Sequence, residues 1–304
     1  MENKQNKPKS KKRVLFSMRL GRIHFLKQMI NRVVFRYLSG IAKQQLEQGA
    51  HQVSVFAFDY IGHHINLDGI YERYELNLVI EYLKNNQLIK GSVLDIGANI
   101  GNHSLFFSKY YEHIYSFEPN PRTFQLLKMN ASLVNNIECI NTGLSDSEKT
   151  ATLSTDPSNY GASSLGKRFN NTRAFQQEVK LRTLDSFADI YLHKIGLIKI
   201  DVEGHELAVL KGGDQFISKN RPTILFEQHL SEFKEGKSPT IEYLKRMGYK
   251  FASIVPAPAV PLWIPNFLRK PFIFILRLIF GLSYRVVEQD KLLPNSYLVI
   301  IAIP

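Results

Sequence analysis

Val93-Leu94-Asp95-Ile96-Gly97-Ala98-Asn99-Ile100-Gly101-Asn102 is followed about twenty residues on by Phe117-Glu118-Pro119-Asn120. An apolar run ends in an acid and a glycine turn, a helix opens at Asn102, and a second apolar run ends in Glu118. This is the layout of a nucleotide-cofactor site in a doubly wound, Rossmann-like α/β sheet, with the ligand beyond the carboxyl ends of the strands. Residue details then choose among cofactors. A dinucleotide site uses Gly-x-Gly-x-x-Gly so that backbone can close on a pyrophosphate. Here Asn99 stands near the place of the middle glycine, and Asp95 puts an anion ahead of the turn. An anion is poorly placed beside a phosphate and well placed beside a cation. S-adenosylmethionine (SAM) has no phosphate and carries a sulfonium and an ammonium. Glu118 would accept its two ribose hydroxyls, as an acid does in dinucleotide folds. The turn therefore predicts SAM binding through Asp95, Gly97 and Glu118. The competing reading is a glycine turn in an unrelated α/β protein.

Two further runs narrow the choice: Asp68-Gly69-Ile70-Tyr71-Glu72 ahead of the turn, and Lys199-Ile200-Asp201-Val202-Glu203-Gly204-His205-Glu206 far behind it. With them the chain resembles the FkbM family of methyltransferases. The turn at 95–102, the Phe-Glu-Pro-Asn-Pro run at 117–121 and the Lys-x-Asp-x-Glu-Gly-x-Glu run at 199–206 occur in that family's order and spacing. The resemblance implies a class I methyltransferase sheet of seven strands, the last antiparallel, with helices on both faces. It also implies SAM as cofactor, and O-methylation of a hydroxyl on a carbohydrate, glycolipid or other small acceptor. Tyr71 and Glu72 would close over SAM. The alternatives are N-methylation, a non-catalytic membrane-associated scaffold, and an NAD-linked oxidoreductase. The missing glycine weighs against the last, and the intact Asp95, Glu118 and Asp201 against the scaffold.

The rule that ligands sit beyond the carboxyl ends of strands selects the candidate site. The first strand and its turn supply Asp95, Gly97, Ala98, Asn99, Gly101 and Asn102, and the second supplies Glu118 and Pro119. After the third, Gly143-Leu144-Ser145-Asp146 should flank the adenine, with Ser145 and Asp146 as contacts. The fourth strand supplies Asp201, Glu203 and His205, and the fifth Glu227, Gln228 and His229. Asp201 is the leading catalytic candidate. One reading makes a carboxylate, His205 or His229 the general base. The other gives Mg²⁺ to Asp201, Glu227 and Gln228, oxygen ligands that suit that ion. Glu206 is expected to cap a helix. Tyr160 and Arg168 are candidate acceptor contacts, and His51, His63, His64, His103, His113 and His193 read as structural, with His63 and His103, near the cofactor turn, as the exceptions.

The chain has 304 residues, 44% of them hydrophobic, and a net charge of +12. Residues 1–46 hold twelve Lys or Arg against one acid, Glu2, so the remaining 258 residues are nearly neutral at +1. Residues 1–50 thus form a basic extension, expected to begin disordered over Met1–Lys12 and to continue as an amphipathic helix over Arg13–Leu46. The methyltransferase domain spans 51–304. Its insertion at 256–294 is apolar, too short to span a bilayer and interrupted by Arg277. The extension and residues 262–285 predict either packing on the core or a second subunit, or contact with an anionic membrane surface from the cytoplasmic side. Nucleic acid is disfavoured, because the extension interleaves its cations with aliphatics. One cysteine, Cys139, allows no internal disulfide, which suits the cytosol. Strands are expected at 53–58, 92–96, 113–117, 137–141, 150–154, 178–181, 197–200, 222–227, 249–255 and 297–303. A polar loop is expected at 156–177.

Overall fold

The computed structural model describes residues 21–156, 159–165, 174–187, 194–257 and 265–304. The chain opens with helices α1 (Arg22–Glu47), α2 (Tyr60–Asp68) and α3 (Arg73–Asn85). The alternating region follows: β1 (Ser92–Ile96), α4 (Asn102–Phe107), β2 (Ile114–Phe117), α5 (Pro121–Ala131) and β3 (Ile137–Ile140). Four strands then leave the main sheet: β4 (Gly143–Leu144), β5 (Lys149–Asp156), β6 (Asn159–Leu165) and β7 (Phe175–Arg182). The chain returns with β8 (Ile195–Ile200), α6 (Glu206–Gly212), α7 (Asp214–Asn220), β9 (Thr223–Gln228) and α8 (Pro239–Arg246). It closes with β10 (Lys250–Ala257), α9 (Asn266–Phe280), β11 (Ser283–Gln289) and β12 (Tyr297–Ile303).

Helices α5 and α8 each carry a local reason for their start. Asn120 accepts from the amides of Arg122 and Thr123, and Pro121 fills the first helical position of α5. Ser238 does the same for α8 ahead of Pro239. In α3, Leu76, Val79, Ile80 and Leu83 recur at helical spacing and are all buried.

The main sheet runs β11-β10-β12-β9-β8-β1-β2-β3. The neighbours β9, β8, β1, β2 and β3 are parallel, and β12 lies antiparallel between β9 and β10. The strand order reverses between β1 and β8, and that crevice is where ligands bind in such sheets. β1 and β8 are buried along their whole length, as parallel strands covered on both faces must be.

Four expectations need correction. The main sheet has eight strands among the described residues, not seven: β11, inside the 256–294 insertion, pairs antiparallel with β10 along Phe251–Ala257. Residues 53–58 form no strand, because the side chain of Asn130 satisfies the backbone of Ser54, accepting at 2.7 Å and donating at 2.9 Å. Residues 156–177 are not one loop: β6 pairs with β5 in the second, four-stranded sheet. Finally, α1 does not pack its stripe on the core. None of its residues is buried, and among the described residues it meets the domain near its end, where Gln45 Nε2 donates to the carbonyl of Leu67 at 3.2 Å. Met1–Lys12, Arg168 and His193 lie outside the described residues. Cys139 is half-buried, and burial pushes its thiol up to about 11, which suits a structural thiol.

Candidate active site

The turn after β1 is shaped by what lies beneath it. Gly97 has φ 76°, and a Cβ there would sit 1.9 Å from the carbonyl oxygen of Asp201. Glycine is therefore required for the end of β8 to come this close. Asn99 also adopts positive φ, 51°, a region that asparagine tolerates better than most residues. Lys199 underlies both. Its Nζ donates to the Gly97 carbonyl at 3.0 Å and lies 3.2 Å from Asp95 Oδ1 and 3.4 Å from Asp201 Oδ2. Burial alone would discharge this lysine, but Asp95 and then Asp201 hold its pKa above the ordinary value. Asp95 is fully buried, and its other oxygen accepts from Ser104 Oγ at 2.6 Å. The cation beside Asp95 is thus Lys199 and not a ligand, which corrects the expected direct contact.

A pocket opens over this turn. It is lined by Gly97, Asn99, Glu118 and Pro119, by Tyr60, Ile61, Tyr71 and Glu72 from the α2–α3 region, by Gly143, Leu144, Leu153, Ser163, Leu165 and Leu181 around the second sheet, and by Asp201, Val202, Glu203, His205 and Glu227. Glu118 is buried and accepts from the amides of Asn120 at 2.7 Å and Asn99 at 3.0 Å, one on each oxygen. Desolvation outweighs these bonds and pushes its carboxyl up to about 7. Asn102 does not line the pocket. Its side chain clamps the backbone of Tyr71, accepting from the amide and donating to the carbonyl, both at 3.0 Å. His103 Nε2 lies 3.2 Å from Glu72 and, against the cost of burial, holds that carboxyl below its usual range. Burial and the Glu72 charge raise the Tyr71 phenol, so it remains a hydrogen-bond donor.

The opposite wall comes from the ends of β8 and β9. Asp201, Glu203 and His205 follow β8, and Glu227 lies in β9. Burial, then repulsion from Asp201 and Glu72, holds the Glu227 carboxyl far above the ordinary range, so it is protonated at neutral pH. His205 Nε2 lies 2.9 Å from Ser145 Oγ, and burial lowers its pKa, leaving the imidazole neutral. The remaining sequence candidates fall elsewhere. Ala98 and Gly101 shape the turn through a 2.8 Å backbone bond. Asp146 points to solvent, paired with Lys149 at 3.2 Å. His229 is half-buried and sits 4.0 Å from Glu203. Gln228 is fully buried between Ser238 and Glu232, so it is not free to hold Mg²⁺. Among the described residues no group of three or more His, Cys, Asp or Glu is arranged to hold a metal. Glu206, the first residue of α6, accepts from the amides of Gly204 and Val202, so it braces the turn ahead of the helix where a helix cap was expected.

The model of the methyltransferase FkbM domain matches residues 95–251, about half of the chain. The chain belongs to the FkbM methyltransferase family. A methyltransferase (sdnD) of Sordaria araneosa is 33% identical over 156 residues, covering 40% of this chain and 60% of that protein. A hexuronic acid methyltransferase (AglP) of Haloferax volcanii is 33% identical over 119 residues, covering 39% of this chain and 48% of that one. The chain thus spans about half of the length of these curated relatives. A crystal structure of an FkbM methyltransferase from Methylobacillus flagellatus aligns with 20% identity and a TM-score of 0.34, over 60% of this chain and 46% of that one.

The cofactor of this FkbM domain is SAM, and the pocket suits it. Among the described residues, five carboxyl groups and no Lys or Arg line the cavity, a surface that repels a pyrophosphate and attracts a sulfonium or an ammonium. Asn99 Oδ1 is buried without a partner, an acceptor waiting for a donor. Each Glu118 oxygen uses one lone pair on backbone and has another for a ribose hydroxyl. Glu118→Ala should weaken SAM binding by about 1.5–3 kcal/mol. Hydroxyls donated to Glu118 favour its ionised form, so binding releases a proton, and affinity should climb as pH rises toward about 7 and level off above it. Isothermal titration at several pH values measures both. An unchanged affinity in the variant would remove Glu118 from the cofactor site.

Sequence reasoning missed Lys199, Tyr60 and Ile61. Lys199 stood in the quoted Lys-x-Asp motif, and a lysine inside an otherwise buried apolar strand was the available signal. Tyr60 and Ile61 gave none, since α2 itself was not foreseen.

Proposed function

We propose that this FkbM-family protein transfers the SAM methyl group to a hydroxyl of a neutral, carbohydrate-like acceptor. SAM, when bound, supplies an electrophilic methyl carbon, and the protein's task is to align the hydroxyl and take its proton. The observation that carries this reading is the unequal carboxyl pair on the acceptor wall. Asp201 is ion-paired with Lys199, whereas burial and the charges of Asp201 and Glu72 push the Glu227 carboxyl beside it up to about 9. Two acids in opposite states can accept from one hydroxyl and donate to a neighbouring oxygen, which suits a vicinal diol. Asp201 would receive the acceptor's proton, while Glu203 and His205 flank it. The relative named as a hexuronic acid methyltransferase supports a sugar-like acceptor. The five acids along the pocket disfavour an anionic one.

The test is incubation with SAM and a panel of neutral glycosides, uronic acids and amino sugars, following S-adenosylhomocysteine release and locating the new methyl by NMR. Methyl ethers on neutral glycosides are expected. Esters on the uronic acids, or methylation of the amine alone, would overturn the reading in favour of a carboxylate or nitrogen acceptor.

A further inference from the structure

Two helices of this chain carry apolar surface that the domain does not use. In α9, Phe272, Ile273 and Leu276 are half-buried against the rest of the chain. At helical spacing the opposite side presents Phe274, Ile275, Leu278 and Ile279, between 51% and 76% exposed. Arg277 is exposed, and α9 contains no acid. In α1, Leu26, Ile30, Val33 and Tyr37 recur every three or four residues and are all exposed. A 100° step per residue puts Lys27 along one border of this stripe, with Arg22 and Arg36 along the other. No acid occurs in α1 before Glu47. Among the described residues, no helix is long and apolar enough to cross a membrane.

We infer that the apolar faces of α1 and α9, bordered by cations, seat the protein on an anionic lipid surface. An apolar stripe with basic residues along its borders matches the acyl boundary below and the anionic headgroups beside it. Charge decides among the occupants. A second copy would bring cation against cation, since neither face carries an acid to pair with. A nucleic acid would satisfy the cations and leave Phe274, Leu278 and Ile30 in water. The inference is independent of the acceptor assignment and of the base.

Co-sedimentation of the full chain with phosphatidylglycerol vesicles tests it, with phosphatidylcholine vesicles as the control. Binding is expected to the anionic vesicles alone, and to fade with added salt. Phe274→Ser with Leu278→Ser should abolish sedimentation while SAM titration remains unchanged, which certifies the fold. Lys27→Glu with Arg36→Glu should lower the vesicle association constant by at least about tenfold. The inference is overturned if the protein ignores phosphatidylglycerol at low salt, if it binds both lipids equally, or if either pair of substitutions leaves binding intact. Concentration-dependent dimerisation without vesicle binding would assign these faces to a second copy instead.

Discussion

Lys199→Met should cost about 3–5 kcal/mol of folding stability, the penalty for removing one partner of a buried ion pair. The loss arises because Asp95 is fully buried and would keep only Ser104 and its neighbours. Thermal or urea unfolding measures it. Adding Asp95→Leu to Lys199→Met removes both charges and should recover stability relative to the single variant, because an apolar replacement of a buried pair is tolerated better than half a pair. Activity should not return, since the Gly97 carbonyl and Asp201 lose the same ammonium. A single variant as stable as the parent would mean that Lys199 does not hold the site together.

Asp201→Asn should reduce turnover by about 10²–10⁴-fold, the usual contribution of a positioned base. The shape is kept and the charge is lost. The side chain is one-third exposed, so folding should be little affected. SAM affinity, which we propose rests on Glu118 and Asn99, should be retained. Steady-state kinetics with a methylated acceptor, alongside SAM titration, separates the two. Parental turnover would demote Asp201 to a structural role and leave neutral His205, already within 2.9 Å of Ser145, as the base to examine.

The central sheet was legible because its signals are local. Buried parallel strands read as apolar runs, and the caps of α5 and α8 sit beside the turns they close. The elements that escaped depend on distant partners. Residues 53–58 alternate like a strand, but the partner that satisfies Ser54 is a side chain of α5, so no ladder forms. Both β6 and β11 exist by pairing with β5 and β10, and neither has an apolar run of its own to announce it. The site followed the same division. Glu118 could be placed from its position after β2. Asp95 was assigned to the ligand because no local pattern tells that a lysine of a much later strand will neutralise it. Asp146 was selected by proximity to a strand end, and it turns to solvent beside Lys149.

The pairing of β1 with β8 also sets a schedule for the nascent chain. Asp95 lies opposite Lys199 in that register, and Lys199 reaches back 102 residues to the Gly97 carbonyl. At roughly 5–20 residues per second, a ribosome would need about 5–20 s to deliver the lysine after the turn has been made. During that interval β1 has β2 beside it but lacks its other neighbour, and its buried acid lacks a cation. Such long-range closure slows folding and prolongs the exposure of apolar strand edges. Chains halted before β8 should therefore be open and prone to aggregate, and those halted after it should be the first able to close the crevice.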